Sequence, residues 1–359
     1  MTLAARSSTT AQASTTVVPQ RPWTLSALMV GAAVVALGIA VRAPMTTTVL
    51  GLIAFGVLHN VLEIRYVAGR FAGVLTGLFL RLLLLLVTGI VVCRVLQGYI
   101  GAPAQYAEIA IGYLVLGVGT WRGLTQWRRW AGLVALAPAA ALSLANPAYH
   151  FVVLAHLHNL VPLVFLWEWA SRLDSRRGRR LFRATQVAWV LVIPILLAVG
   201  LADRWLVGGT GVVEQFVGSG ERVLAASAPP GQAATVVGLR FLAVFAFLQT
   251  MHYVVWVAFL PTFAPDASQA FEARVPWLTP RRLWTVGGVA ALFLGVLFLT
   301  DWAQGKAVYA ALASYHAYLE FPVLLALLLG GQQVIGSATA AAVPGVTVSP
   351  SVNAGPGAG

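Results

Sequence analysis

Residues 72–93 read AGVLTGLFLRLLLLLVTGIVVC, a stretch in which Arg81 is the one charged residue. A helix that crosses the hydrocarbon core of a bilayer needs about 20 mainly apolar residues, because each residue adds only ~1.5 Å to its length. This stretch therefore predicts a membrane-spanning helix. The whole composition agrees, since 59% of the 359 residues are hydrophobic and 9% are charged, whereas soluble domains carry about 25% charged residues.

Nine further stretches are long and apolar enough, or nearly so, to cross a bilayer. The ten predicted spans are 23–41, 46–62, 72–93, 105–121, 130–145, 148–167, 184–201, 235–260, 283–300 and 307–330. The fifth is short and is separated from the sixth only by Asn146 and Pro147, so it is either part of a tight hairpin or a re-entrant piece. We therefore predict an all-α, polytopic membrane bundle of about ten transmembrane helices.

Both ends of the chain differ in composition from the apolar centre. Residues 1–22 form a polar N-terminal tail without the layout of a cleaved signal, and the run that begins at Trp23 is interpreted as a retained first span. Residues 331–359 are rich in Ala, Gly, Ser, Thr and Pro and carry no charge, which predicts a disordered tail. A single transmembrane domain, 23–330, lies between them.

The net charge of +12 is distributed in the way that membrane topology requires. Lys306 is the only lysine, and the arginines lie mainly in gaps between apolar runs. With ten spans, sixteen of the 23 basic residues fall on the face that carries both termini and five on the opposite face, while Arg81 and Arg240 fall inside spans. Cytoplasmic loops are enriched in Lys and Arg, so both termini are predicted in the cytoplasm of a bacterial cell. No nucleic-acid partner is needed to explain the charge.

Cys93 is the only cysteine of the chain. One thiol cannot form an internal disulfide, a Cys-rich zinc site, an iron–sulfur cluster or a c-type haem attachment. Because it lies inside an apolar run, we interpret it as a small buried hydrophobic residue.

Most of the histidines lie inside predicted spans, where ionisable groups cost free energy and are candidates for function. They are His59 in the second span, His156 and His158 in the sixth, His252 in the eighth and His316 in the tenth. These spans are all even-numbered, so all run from outside to inside. At ~1.5 Å per residue the imidazoles reach depths of roughly 12–20 Å, with His252 somewhat deeper. Imidazoles from four helices in a dry cavity suit iron, copper or zinc, so we predict a buried metal site.

Two carboxylates share their spacing with these histidines. In His59–Glu63 and His316–Glu320 the acid follows the histidine by four residues, which places both on one face of a helix. Each carboxylate is predicted to be a metal ligand or to accept a hydrogen bond that fixes the tautomer of an imidazole. For Glu63, near the cytoplasmic boundary, solvation or pairing with Arg65 is the alternative.

His156 and His158 cannot both face one small site, because two residues turn an α-helix by about 200°. His158-Asn159 repeats the dipeptide His59-Asn60, which favours His158 as the ligand. His156 stays open as the alternative.

Two other residues are unusual inside spans. Arg81 lies in the middle of the third predicted span and needs a partner, for which Glu320, Glu108 or a substrate carboxylate are candidates. Together with the two glutamates of the His-x-x-x-Glu pairs it is a candidate catalytic residue. Pro162 has no N–H for the carbonyl of His158 and is expected to kink the sixth span.

The order of the histidines resembles that of the bacterial and archaeal Brp/Blh-type β-carotene-cleaving dioxygenases. His59–Glu63 matches the family's early His-Gly-x-x-Asp motif, with Asn60 in place of Gly and Glu63 in place of Asp. His158 matches the mid-chain histidine, and His252 the later histidine helix, which in the family usually offers two. The resemblance implies a multispanning protein whose histidines hold one non-haem iron and which cleaves a carotenoid with O₂ to retinal. His316 would take the missing role.

The sequence thus predicts a metal-dependent membrane oxidoreductase, with Fe(II) as the expected metal and another transition metal as an alternative. Its predicted partners are O₂, the bilayer and a lipid-soluble carotenoid, fatty chain or quinone-like molecule, and an electron-donor protein is a further candidate. Two alternatives stay open. One is a b-type haem protein in electron transfer with two axial histidines, and the other is a proton-coupled transporter that uses Arg81, Glu320 and the histidines.

Overall fold

The computed structural model describes residues 22–329, so the predicted tails lie outside the described residues apart from Pro22. Helices and no strands are found in this range, which confirms the all-α prediction. Ten long helices follow the ten predicted stretches in order. Their bounds are α1 Pro22–Arg42, α2 Pro44–Arg70, α3 Gly77–Ile100, α4 Ala102–Gly123, α5 Gln126–Ala145, α6 Pro147–Arg172, α7 Arg176–Ala198, α8 Val236–Phe263, α9 Pro280–Thr300 and α10 Trp302–Leu329.

Eight of these helices are both long and apolar enough to cross a membrane, which makes the chain a multi-pass helical membrane protein. The other two are α4 and α5, which have 22 and 20 residues. Both carry charged side chains in place of some apolar ones: Glu108 and Arg122 in α4, and Arg128 and Arg129 at the start of α5.

Tight turns separate neighbouring helices and explain several of their boundaries. Gly101, with φ of +62°, ends α3 and precedes α4, and a positive φ of this kind is reached readily only by glycine. Asn146 alone separates α5 from α6, whose first residue is Pro147. Because α5 and α6 also pack against each other, the short fifth segment belongs to a tight hairpin.

Four helices, α2, α6, α8 and α10, surround the centre of the bundle. Each packs against two of the others, in the closed order α2, α8, α6, α10. In the apolar segment of α8, 67% of the residues are buried, whereas in that of α9 only 17% are buried. The mutual packing of these four histidine-bearing helices makes them the inner ones, α8 is more buried than its neighbours, and α9 lies at the periphery.

Two of the inner helices depart from regular α-helical geometry next to a histidine. In α6 the break predicted at Pro162 is present: the N–H of Val161 donates to the carbonyl of His158 at 3.1 Å, a three-residue step. In α8 a π-helical turn, Val254–Phe259, begins two residues after His252. Such turns change the rotational register of a helix and occur frequently at functional sites.

The two arginines predicted inside spans lie near helix ends instead. Arg81 and Arg240 are each the fifth residue of their helices, because α3 begins at Gly77 and α8 at Val236. The side chain of Arg81 is exposed and Arg240 pairs with Asp203. The prediction that Arg81 lies in the middle of a span was wrong because the third helix begins five residues later than its apolar run. A long cationic side chain this close to a helix end extends to the interface.

A short helix, Pro265–Arg274, packs against the last turns of α2. Gly69 allows α2 and this short helix to approach closely. A Cβ at this position would overlap the carbonyl oxygen of Ala267 and lie 3.0 Å from the amide nitrogen of Phe271. Ion pairs hold the same region, with Arg65 on Glu272 and Arg70 on Glu168.

We therefore expect Gly69→Ala to destabilise the protein by about 1–3 kcal/mol, the usual cost of overpacking a closed contact. The measurement is the thermal midpoint of the detergent-purified protein, followed by size-exclusion fluorescence, which should fall by several degrees. Gly31→Ala is the matched control, because no atom lies within 4 Å of a Cβ at that position in α1. An equal midpoint for both variants would contradict the packing described here.

Candidate metal centre

Four imidazoles, one from each inner helix, meet at the centre of the bundle. Their ring centroids form a closed circuit: His59 to His252 5.2 Å, His252 to His158 4.7 Å, His158 to His316 4.9 Å and His316 to His59 5.0 Å. His59, His252 and His316 are at most 3% exposed, and the side chain of His158 is 18% exposed. The circuit follows the order in which the four helices pack.

Glu63 and Glu320, both fully buried, lie against this circuit. An oxygen of Glu320 is 3.4 Å from Nδ1 of His158, and an oxygen of Glu63 is 3.5 Å from Nε2 of His252. Each glutamate thus reaches the histidine of another helix, while its own helix supplies a histidine four residues earlier. The alternative that Glu63 pairs with Arg65 is wrong, because Arg65 pairs with Glu272 and Glu63 is buried.

The polar atoms of this cluster lack ordinary hydrogen bonds. Within residues 22–329, no hydrogen-bond partner is found for both carboxylate oxygens of Glu63 and of Glu320, both ring nitrogens of His252, and Nδ1 of His158 and of His316. Buried polar groups are nearly always paired, because leaving one unpaired costs about 1–3 kcal/mol. The two carboxyl groups lie close enough to interact with each other, and a bound cation would satisfy the lone pairs of the carboxylates and of the imidazoles together.

The distances fit a metal ion as this cation. Nε2 of His158 lies 3.1 Å from Nε2 of His316, and two nitrogens bound to one ion at ~2.0–2.1 Å are about 3.0–3.4 Å apart. One ligand atom from each of His59, Glu63, His158 and His252 can be chosen so that all lie within 4.8 Å of one another. The set offers nitrogen and oxygen donors from three helices, with His316 from a fourth beside it.

The orientation of His59 is set by its own helix. Its Nδ1–H donates to the carbonyl oxygen of Phe55 at 2.9 Å, so Nε2 carries the lone pair that a metal needs. The ring of Tyr253 lies 4.7 Å from that of His59 and closes its outer side. In α6, Nδ1 of His158 faces Glu320, and Nε2 is the atom that faces the other imidazoles.

His158, and not His156, faces the centre. Nε2 of His156 lies 2.8 Å from the carbonyl oxygen of Ser227, and its ring packs edge-on against Phe241 and Phe245. The two side chains point to opposite sides of α6, as their separation of two residues requires. His156 therefore has a complete structural role away from the cluster.

Arg81 is not part of the cluster, since its side chain is exposed near the start of α3. A different arginine of the same helix lies near the histidines. Arg94 lies just outside the third predicted span, 72–93, but inside the helix, because α3 continues to Ile100. Its Nε donates to Glu108 at 2.8 Å. Glu108 lies inside the fourth predicted span, and an acidic residue at such a position was the sequence feature that indicated a basic partner nearby.

A cavity of about 230 Å³ adjoins the cluster, and all four imidazoles line it. Most of its other walls are apolar or aromatic, among them Leu52, Phe151, Phe245 and Tyr253. On the other side of the cluster, Trp256 packs against His252, and Phe165 packs against Trp256. The cluster thus has an apolar cavity on one side and a packed aromatic wall on the other.

No family model matches this chain, and neither the curated proteins nor the solved structures give a significant match to it. The resemblance to the β-carotene-cleaving dioxygenases accordingly stays a prediction from the residues themselves.

His158→Ala should weaken metal binding by more than the roughly 10–100-fold that loss of an outer-shell partner costs, because a direct donor is removed. Glu320→Gln should give a loss within that range. The measurement is metal per folded protein by mass spectrometry after purification with limiting Fe(II). His156→Ala is the matched control on the same helix and should retain its metal, and equal loss in both histidine variants would overturn the site.

Proposed function

We propose that this chain is a membrane-embedded oxidoreductase that oxygenates a lipid-soluble substrate with the help of one non-haem iron. The observation that supports this most is the closed ring of four imidazoles with two unpaired buried carboxylates at the wall of an apolar cavity. Imidazole suits zinc, copper, iron and nickel, while mixed imidazole and carboxylate donors with open positions are typical of non-haem Fe(II) oxygenases. Iron is therefore the metal we favour.

In this proposal His59, His158, His252 and His316 hold the metal. Glu320 lies 3.4 Å from Nδ1 of His158 without a hydrogen bond to it, and with the metal bound it would accept one from Nδ1–H, which would fix the tautomer of that imidazole and raise its basicity. Glu63 lies 3.5 Å from Nε2 of His252, long for a hydrogen bond but suitable for two donors to one ion. Charge balance supports both roles, because two carboxylates offset the charge of a divalent ion in a dry site.

When bound, iron supplies the one-electron chemistry that lets dioxygen react with an unsaturated carbon. If one carbon–carbon double bond is cleaved, both bonds between the carbons and the bond of O₂ break, and two carbonyl groups form. This balance needs no further reductant. Hydroxylation would need two electrons and two protons in addition, so an electron-donor protein would then be a partner.

The apolar walls support a substrate that enters from the bilayer, such as a carotenoid, a fatty chain or a quinone-like molecule. The cavity, about 230 Å³, is smaller than the ~300–1,000 Å³ of sites that enclose a whole drug-sized ligand. A long lipid would therefore place one segment beside the histidines and leave the rest between helices.

The ring packing favours a bare ion over b-type haem. Two axial nitrogens of a haem lie on opposite sides of the iron, about 4 Å apart at ~2.0–2.1 Å per bond, with the macrocycle between them. Here two nitrogens are 3.1 Å apart and neighbouring rings are 4.7–5.2 Å apart, which leaves no gap for a macrocycle. A transporter stays as the second alternative.

The test supplies ¹⁸O₂ and β-carotene, retinol or ubiquinone to the Fe(II)-loaded protein in lipid nanodiscs. We expect an ¹⁸O-labelled product by mass spectrometry from at least one of them. The variant with all four clustered histidines changed to Ala should form at least about 100-fold less.

Three results would each contradict the proposal. A sharp Soret band with haem iron would support the electron-transfer alternative, and metal-independent uptake by proteoliposomes would support a transporter. Stoichiometric iron without labelled product from any of the three substrates would exclude oxygenation of these classes.

We further propose ten membrane crossings, with both termini in the cytoplasm of a bacterial cell. The support is the excess of arginine on one face and the even number of long helices. In a Cys93→Ala background, Ser219→Cys between α7 and α8 should be labelled by a membrane-impermeant maleimide added to intact cells. Ser171→Cys at the end of α6 should be labelled only after lysis. The reverse pattern would overturn the orientation.

A further inference from the structure

A second polar feature of the cavity is the guanidinium of Arg94. It lines the cavity together with the four imidazoles, and its side chain is 21% exposed. Its Nε donates to Glu108 on α4 at 2.8 Å, and its Nη1 donates to the carbonyl oxygen of Ala310 on α10 at 2.5 Å. These contacts use two of its five N–H groups, so others are available to a molecule in the cavity.

Glu108 balances the charge of this guanidinium. Its side chain is 2% exposed, and the ion pair is therefore nearly dry on the side of the carboxylate. As a pair the two groups carry no net charge. A ligand with a carboxylate would add an unbalanced negative charge next to Glu108, whereas an uncharged oxygen only needs a donor.

The hydroxyl group of Tyr318 lies beside Arg94. Tyr318 lines the cavity and is 3% exposed, and its Oη is within hydrogen-bonding reach of the guanidinium. Its ring packs closely against Gly112 of α4. Arg94 and Tyr318 thus form one polar end in an otherwise mainly apolar cavity.

The end of the cavity that Arg94 and Tyr318 form lies close to the histidines. Ala310, which anchors Arg94, precedes His316 by six residues on α10, which is about 9 Å along a helix axis. An oxygen atom held by Arg94 and Tyr318 would thus place the adjoining part of an apolar chain at the imidazole ring.

We infer that the cavity binds an elongated apolar molecule that carries an uncharged oxygen, a hydroxyl or carbonyl, at one end, and that Arg94 holds this oxygen. The inference deepens the proposed function by naming the substrate class. Arg94 is a positioning and specificity-determining residue in this inference, with Glu108 selecting against an anionic end group. A hydrocarbon without an oxygen would displace water from the remaining N–H groups of the guanidinium without replacing its hydrogen bonds, which costs affinity.

Three probes with one conjugated tetraene chain test this: one ends in a primary alcohol, one in a carboxylate and one in a methyl group. Binding to the protein in nanodiscs is measured by energy transfer from its tryptophans, of which Trp256 packs against His252. Wild type should bind the alcohol about tenfold or more tightly than the hydrocarbon, the size of one hydrogen bond to a charged donor. It should also bind the alcohol more tightly than the carboxylate.

Two variants change this preference in different ways. Glu108→Gln leaves the charge of Arg94 unbalanced, so the carboxylate probe should gain about tenfold and overtake the alcohol. Arg94→Leu with Glu108→Leu removes the ion pair without leaving a buried charge alone, and the alcohol should then lose most of its advantage over the hydrocarbon, because only Tyr318 is left to hold the oxygen. Arg81→Leu is the matched control, because it removes an exposed arginine from the same helix and should keep the wild-type order.

The inference is overturned if wild type binds the alcohol and the hydrocarbon equally, or if the carboxylate probe does not gain in the folded Glu108→Gln protein. If the double variant fails to fold, the Glu108→Gln result alone decides. The assay needs neither iron nor turnover, so it is run on chelator-treated protein. A preserved preference without oxygenation would contradict only the proposed reaction, and oxygenation without the preference would contradict only this inference.

Discussion

Six ionisable side chains buried at the centre of an apolar bundle are the constraint on which the other features depend. Two carboxylates and four imidazoles in such surroundings would cost many kcal/mol if they were unpaired. The chain nevertheless brings them together from four different helices, and it leaves most of their polar atoms without protein partners. In the proposed function a shared cation recovers this cost, because one ion is able to satisfy several donors at once.

The carboxylates outside the centre are paired differently from those in it. Within the described part of the chain, several of them form ion pairs with arginines. These pairs are Arg65–Glu272, Arg70–Glu168, Arg94–Glu108, Arg172–Asp266 and Arg240–Asp203. Glu63 and Glu320 are both fully buried, and their neighbours are imidazoles instead of guanidinium groups. Within the described residues, the centre therefore holds two buried carboxyl groups without an arginine partner, which sets it apart from the ion pairs around it.

Irregular backbone next to the histidines gives this centre its shape. The interruption before Pro162 ends one helical segment just beyond His158, and the π-helical turn after His252 contains Trp256, which packs against that histidine. Trp256, four residues after His252, and Phe165, seven residues after His158, form the aromatic wall of the cluster.

Much of this architecture was readable from the sequence, since apolar runs of about 20 residues and intramembrane histidines are local signals. The all-α class, the helical segments and the expectation that His59, His252, His316 and the two glutamates lie together came from such signals. The ends of the helices were harder to predict from the sequence. The helix α3 begins and ends later than its apolar run, so Arg81 lies near its start and Arg94 lies within it. Hydropathy cannot place these ends, because a single arginine at either side of a run changes the average little.

The sequence by itself determined that the chain is a helical membrane protein and which of its side chains are costly to bury. Only the tertiary structure decided which of these side chains meet. The direction of His158 toward the centre and of His156 toward Ser227, and the pairing of Arg94 with Glu108, depend on how helices rotate and pack against one another. Those rotations are set by contacts between segments far apart in the chain, and periodicity within one segment carries no information about them.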